Sequence, residues 1–119
     1  MAPFTIVLDT TTSFQEINGF GAALTALSAY LIQNLAEEKK ESLLNALFDS
    51  KTGIGISCLR LLTCSSDFSL ESYSYCGQSG ISNFAISEID KRDLIPVLKK
   101  ILKINPQIFI VASPWSALA

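Results

Sequence analysis

Hydrophobic and polar positions alternate from the start of the chain. Phe4, Ile6 and Leu8 interleave with Thr5, Val7 and Asp9, the period of two that predicts a half-buried strand. Thr10 to Ser13 reads as a turn, and Phe14 to Ile17 resumes extended structure. The two segments predict a β-hairpin or two strands of a small sheet. Asn18-Gly19-Phe20-Gly21 breaks that pattern, because its glycines permit tight backbone or close approach to another group. A helical spacing follows: Leu24, Leu27, Leu31 and Leu35 recur every three or four residues and predict one apolar stripe. Glu37 to Lys40 reads as a solvated surface turn or exposed helix face. Leu43, Leu44, Leu47 and Phe48 resume the helical period, and Gly53 is the expected residue just past the helix end.

Ile54 to Leu62 is apolar and predicts a strand covered on both faces. Ser65 to Ile86 has no sustained period and is rich in Ser, Gly, Tyr and Asn. It reads as a long loop, and loops of that length in compact domains are usually functional or disordered. Its aromatics Phe68, Tyr73, Tyr75 and Phe84 argue for order. A further helix begins at Ser87 to Asp90, with Leu94, Val97, Leu98, Ile101 and Leu102 as its apolar face. Pro96 fits such a helix if Asp93 is its N-cap, since first-turn amides lack intrahelical partners anyway. Asn105-Pro106 stops the helix. Ile108 to Ala112 is a wholly apolar run that suits a buried parallel strand, and Ser113-Pro114-Trp115-Ser116 follows it. Strands alternating with helices predict an α/β fold with a parallel sheet.

With 119 residues and 49% hydrophobic content, the chain has the material for one packed core and not for a disordered tail. Its net charge of -2 and the absence of a basic stripe argue against a nucleic-acid partner. There is no histidine, which removes a Ser-His-Asp triad, a Cys-His dyad and the commonest metal ligand; no metal site and no cofactor are expected. Acid–base chemistry would fall to carboxylates, Lys, Tyr or Cys. Gly19 and Gly21 form a lone Gly-x-Gly without a third glycine, so a dinucleotide loop is rejected. Cys58, Cys64 and Cys76 are odd in number and lack a Cys-x-x-Cys spacing. Three free thiols are expected, with a Cys64–Cys76 bridge as the alternative in an exported protein. The opening residues lack the charged and long apolar regions of a signal peptide, and no apolar run is long enough to span a bilayer.

Three segments together form a recognisable pattern. They are Gln15-Glu16-Ile17-Asn18-Gly19-Phe20-Gly21-Ala22-Ala23-Leu24-Thr25; then Gly53-Ile54-Gly55-Ile56-Ser57-Cys58-Leu59-Arg60, followed by Ser66-Asp67-Phe68-Ser69 and Tyr73-Ser74-Tyr75; and Ala112-Ser113-Pro114-Trp115-Ser116. In this order and spacing they resemble the N-terminal part of glycoside hydrolase family 30, the family of the glucosylceramidases. The resemblance implies a (β/α)8 TIM barrel with a side β-domain. Residues 1–17 would supply strands of the side domain and residues 18–119 the N-terminal part of the barrel. The Gly-Phe-Gly segment would be the first barrel strand, Ile54 to Leu62 the second and Ile108 to Ala112 the third. A full barrel takes roughly 250 residues, so about three of its eight β/α units are covered here.

The resemblance also implies an activity, retaining hydrolysis of a β-glucosidic bond in glucosylceramide or a related glycoside or glycosphingolipid, and a lysosomal or secreted setting. By position, Asp67 matches a carboxylate that holds hydroxyls of the terminal glucose. Trp115 matches a tryptophan lining the glucose pocket, and Phe68 is expected to line it too. Arg60 matches an arginine that supports the catalytic carboxylates. Those two glutamates follow the fourth and seventh strands in the family, so no catalytic residue is assigned among these 119. Without the family pattern, Asp67 reads as a loop or N-cap aspartate, Trp115 as a core or site residue with equal weight, and Arg60 as an ion-pair partner at a strand end. Several positions depart from the pattern: Ala22, Leu62, Cys76, the Ala117-Leu118-Ala119 ending, and Ala26, which replaces an aspartate and is expected to loosen the first β/α turn. An inactive fragment or sugar-binding remnant is the competing function. Three units of a barrel would leave open sheet edges, and self-association is expected.

Overall fold

The computed structural model describes residues 4–115. Met1 to Pro3, Ser116 and the Ala117-Leu118-Ala119 ending lie outside the described residues. Three strands form one sheet in the order β1 (Gly21–Leu24), β2 (Cys58–Thr63) and β3 (Phe109–Pro114), all parallel. Between β1 and β2 run α1 (Ala26–Gln33) and α2 (Glu37–Phe48). Between β2 and β3 come the long loop, a π-helical turn (Asp90–Leu94) and α3 (Ile95–Ile104). The α/β alternation expected from Gly19 onward is therefore present, with β2 starting four residues later than expected and β3 running two residues further.

The core lies between the sheet and its helices. Leu24 and Leu59 from the strands meet Ala29, Leu44, Phe48, Leu94, Val97 and Ile101. Register pairs Ala22 with Leu59 and Leu24 with Leu61, and Leu59 with Ile110, so one set of alternating positions faces the helices. The opposite set contains Ala23, Arg60, Phe109 and Val111, all exposed. Among the described residues β2 and β3 are only partly covered, short of the cover expected from their apolar sequence: Leu62 is buried in the outward set, and Ala112 is exposed in the inward one.

Several local expectations change for identifiable reasons. In α1 the buried residues are Ala26 and Ala29, while Leu31 is 58% exposed. Small side chains let the helix approach its neighbours closely, and the leucine stripe is turned partly outward. The β1–α1 turn is not loose. Thr25 Oγ1 accepts the Ser28 amide and Ser28 Oγ accepts the Thr25 amide, a reciprocal cap. Glu37 to Lys40 opens α2, and Lys40 is buried rather than solvated, held to Glu37 at 3.3 Å. Glu37 also receives the ammonium of Lys100 and so ties α2 to α3.

Gly53 does not occupy the position just past the end of α2, because the helix stops at Phe48 with Asp49 as its C-cap. The glycine is needed instead for close approach, since a Cβ there would overlap the carbonyl oxygens of Asn45 and Ala46. Ile54 and Ile56 then donate to the carbonyls of Ala46 and Leu47, which delays the start of β2. Asp93 is not an N-cap either. The helical residues begin at Glu88, where Ser87 Oγ accepts the Asp90 amide, and Pro96 lies inside the helix. The π-helical turn before Pro96 absorbs the missing donor, with Ile95 bonding five residues back to Asp90.

Residues 4–17 carry no strand. Phe4, Ile6, Val7, Leu8 and Phe14 are all exposed. An alternating segment becomes a strand only when a neighbour completes its ladder, and none of the described residues does so.

Candidate functional site

The C-terminal ends of β2 and β3 lie side by side, because Leu62 pairs with Ser113 and Thr63 with Pro114. Chain direction therefore delivers the residues after both strands to the same edge of the sheet. After Thr63 the backbone turns sharply at Cys64, whose φ of 67° is uncommon for a residue with a Cβ. The Ser65 amide then donates to the Tyr73 carbonyl at 3.1 Å and closes a nine-residue lobe.

Within the lobe, Ser66-Asp67-Phe68-Ser69 forms a tight turn. Ser66 Oγ accepts the Phe68 amide at 3.1 Å, Ser69 Oγ accepts the Ser66 amide at 3.0 Å, and the Ser66 carbonyl accepts the Ser69 amide. The two serines satisfy the local backbone and leave the Asp67 side chain projecting. The Phe68 carbonyl accepts the Leu27 amide at 3.0 Å. That amide belongs to the first turn of α1, where donors lack helical partners, so the lobe is pinned to the start of α1.

Asp67 and Trp115 line one hollow of about 490 Å³, together with Glu71 and the hydroxyl-bearing Ser65, Ser66, Ser69 and Ser72. Arg60, on β2, places its guanidinium carbon 5.4 Å from the centroid of the Trp115 ring and its Nη2 3.5 Å from Ser113 Oγ. A cation over an indole face holds the ring in one orientation. The structure thus brings Asp67, Trp115 and Arg60 together. The Phe68 ring is 55% exposed and stands outside the lining; its contribution here is its backbone. Glu71 was not anticipated, because nothing in its Leu-Glu-Ser context marks it in sequence.

The remainder of the loop is fastened by a buried acid. Asp90 is 1% exposed, and its two carboxylate oxygens accept the hydroxyls of Tyr73 at 2.8 Å and Tyr75 at 2.5 Å. Burial, and then the hydrogen bond to Asp90, raises both phenols well above the usual tyrosine range. Tyr75 also meets Phe84 edge to face. These tyrosines pack the loop, as expected. The three cysteines are free thiols, so the Cys64–Cys76 alternative is not formed. Among the described residues, no cluster of acids and thiols is arranged to hold a metal ion, and no helix is long and apolar enough to cross a membrane.

A carboxylate, serine hydroxyls and an indole face around an open hollow are the groups that bind a sugar ring: acceptors for vicinal hydroxyls and a flat apolar surface for its C–H face. The profile of the glycosyl hydrolase family 30 TIM-barrel domain matches residues 17–119. The chain belongs to glycoside hydrolase family 30. It is 34% identical over 108 residues to the lysosomal acid glucosylceramidase of Mus musculus, covering 87% of this chain and 21% of that protein. It is 29% identical over 107 residues to an endo-1,6-β-D-glucanase of Neurospora crassa, covering 86% of this chain and 22% of that one. Among solved structures, the endo-β1,6-glucanase BT3312 superposes with a TM-score of 0.86 at 37% identity, over 92% of this chain and 24% of that protein. SrfJ from Salmonella typhimurium follows with a TM-score of 0.80 and 30% identity, over 86% and 23%. The chain spans about a fifth of the length of the curated relatives it matches. Its three-stranded parallel sheet and helices accord with part of such a barrel.

Proposed function

We propose that this chain is the N-terminal, sugar-holding portion of a retaining β-glycosidase of the glucosylceramidase type. The observation that carries the reading is the convergence of Asp67 and Trp115 on one hollow at the C-terminal ends of adjacent parallel strands. In (β/α)8 enzymes that end of the barrel is where substrates bind. Asp67 accepts hydroxyls of the terminal glucose, Trp115 covers its apolar face, and Arg60 fixes the indole and adds positive charge beside the reacting bond. The bond is cleaved by two carboxyl groups about 5–5.5 Å apart, one a nucleophile and one an acid/base. We assign neither to Asp67, whose place is beside the sugar hydroxyls. The aglycone is a ceramide or a related group, and residues 1–17 join the side β-domain when partner strands complete their ladder.

Both the glucosylceramidase and the endo-1,6-β-D-glucanase carry a glucose unit in their names, which favours a β-glucoside and leaves the aglycone to be measured. The test uses a fluorogenic β-glucoside and the product of the complete reading frame. Asp67→Asn and Trp115→Ala should each lower kcat/KM by roughly 10²-fold or more, as loss of a positioning contact does. Wild-type kcat/KM in both variants would overturn the assignment. A competing reading, a sugar-binding remnant without catalysis, predicts sugar binding with no turnover in the same preparation.

A further inference from the structure

Tyr73 and Tyr75 look equivalent in sequence, and both phenols donate to one buried carboxylate, Tyr73 to Oδ1 of Asp90 at 2.8 Å and Tyr75 to Oδ2 at 2.5 Å. Their backbones differ. The Tyr73 carbonyl accepts the Ser65 amide at 3.1 Å, the bond that closes the lobe carrying Asp67. The Tyr75 carbonyl accepts the Ala85 amide at 2.8 Å, and its ring meets Phe84, so it fastens the far arm of the loop. On its other side the lobe is tied to α1 through the Phe68 carbonyl and the Leu27 amide. Asp67 is exposed between these two ties, and its place in the hollow is set by the backbone of the lobe. Asp90 is a fixed point by comparison, since it is buried at the head of the helical segment whose Val97 and Ile101 lie in the core.

Resting on the sugar-site reading above, we infer that Tyr73 is a positioning residue for Asp67: it joins the lobe to the Asp90 carboxylate and so sets where Asp67 meets the sugar, whereas Tyr75, on the same carboxylate, does not. Without the Tyr73 hydroxyl the lobe keeps its tie to Leu27 and is free to swing about it, which carries Asp67 off the sugar hydroxyls. A misplacement of about 1 Å at a positioning contact costs up to about 10²-fold in rate.

The test uses the product of the complete reading frame and a fluorogenic β-glucoside. Tyr73→Phe and Tyr75→Phe each delete one hydroxyl, keep the ring and remove one bond to Asp90, so their melting temperatures should fall by similar amounts. Tyr73→Phe should lower kcat/KM about tenfold and Tyr75→Phe less than about twofold. In an Asp67→Asn background Tyr73→Phe should bring no further loss, because the group it positions is already gone; a general structural defect would multiply with that change instead. Asp90→Asn, which leaves one carbonyl acceptor for two phenols, should show the same dependence on Asp67, and it decides the matter alone if Tyr73→Phe does not fold. No loss in Tyr73→Phe, equal losses in the two phenylalanine variants, or a loss that persists undiminished beside Asp67→Asn overturns the inference and leaves the sugar site standing. Wild-type kcat/KM in Asp67→Asn itself removes the sugar-site reading, and this inference with it.

Discussion

Asp90 shows what a single residue contributes and why sequence alone conceals it. Its buried carboxylate accepts two phenols, and its backbone amide donates to Ser87 Oγ. The partners lie 15 and 17 positions upstream, across a segment with no periodicity, so no spacing rule points to them. Asp67 and Trp115 were legible because short motifs carry them; Glu71 and Asp90 have no motif. The Asp90 brace has a pH signature. Burial and the hydrogen bonds to Asp90 hold both phenols above the ordinary tyrosine value of 10.0, so at high pH the folded state retains protons that the unfolded chain has released. Stability from the brace is complete below pH 10 and falls as pH rises beyond it. Denaturant midpoints measured from pH 8 upward should drop above pH 10, and the drop should be shallower in Tyr75→Phe. A drop of equal slope in both proteins would rule the brace out as its cause. At neutral pH, Asp90→Asn should destabilise the chain by about 1–3 kcal/mol, the cost of leaving a buried hydroxyl with a poorer acceptor.

At the level of elements, the parallel alternation was readable from hydrophobic period, while the way each element packs was not. Period marks a stripe of leucines in α1 but cannot show that Ala26 and Ala29 are the buried ones, because that depends on how closely α1 approaches the π-helical turn and α3. The π-helical turn itself is a tertiary solution to Pro96 and has no sequence signature beyond the proline. Glycine is more informative. A Cβ at Gly21 would overlap the Cys58 carbonyl, the point where β1 joins β2. Gly21→Ala should separate the first two strands and destabilise the domain by about 1–3 kcal/mol or more. Urea unfolding of the variant gives the value, and a loss below about 0.5 kcal/mol, the range of ordinary surface changes, would contradict the close packing of this strand pair.

For the molecule as a whole, the sheet is asymmetric. Helices lie against one face; the other exposes Phe109 at 60% and Val111 at 43%, and among the described residues β1 and β3 each have an unpaired edge. Phe20 at 76% and Ile54 at 74% add apolar surface that water does not favour. Natural sheets protect such edges with charge, bulges or covering elements, and β3 has no charged residue among Phe109 to Pro114. In a closed (β/α)8 barrel such a face is packed inside and the strand edges are paired. The chain of 119 residues is therefore expected to associate with itself through the open face and the β3 edge. Sedimentation velocity over a concentration series should show a mass that rises with concentration. Val111→Lys puts a charge on the exposed face of the edge strand and should shift the distribution toward monomer. The helix-side core is untouched by that change, so an unaltered far-UV spectrum with reduced association would separate loss of the contact from loss of the fold. A wild-type chain that stays monomeric throughout the series would mean that something other than a second copy shields these residues.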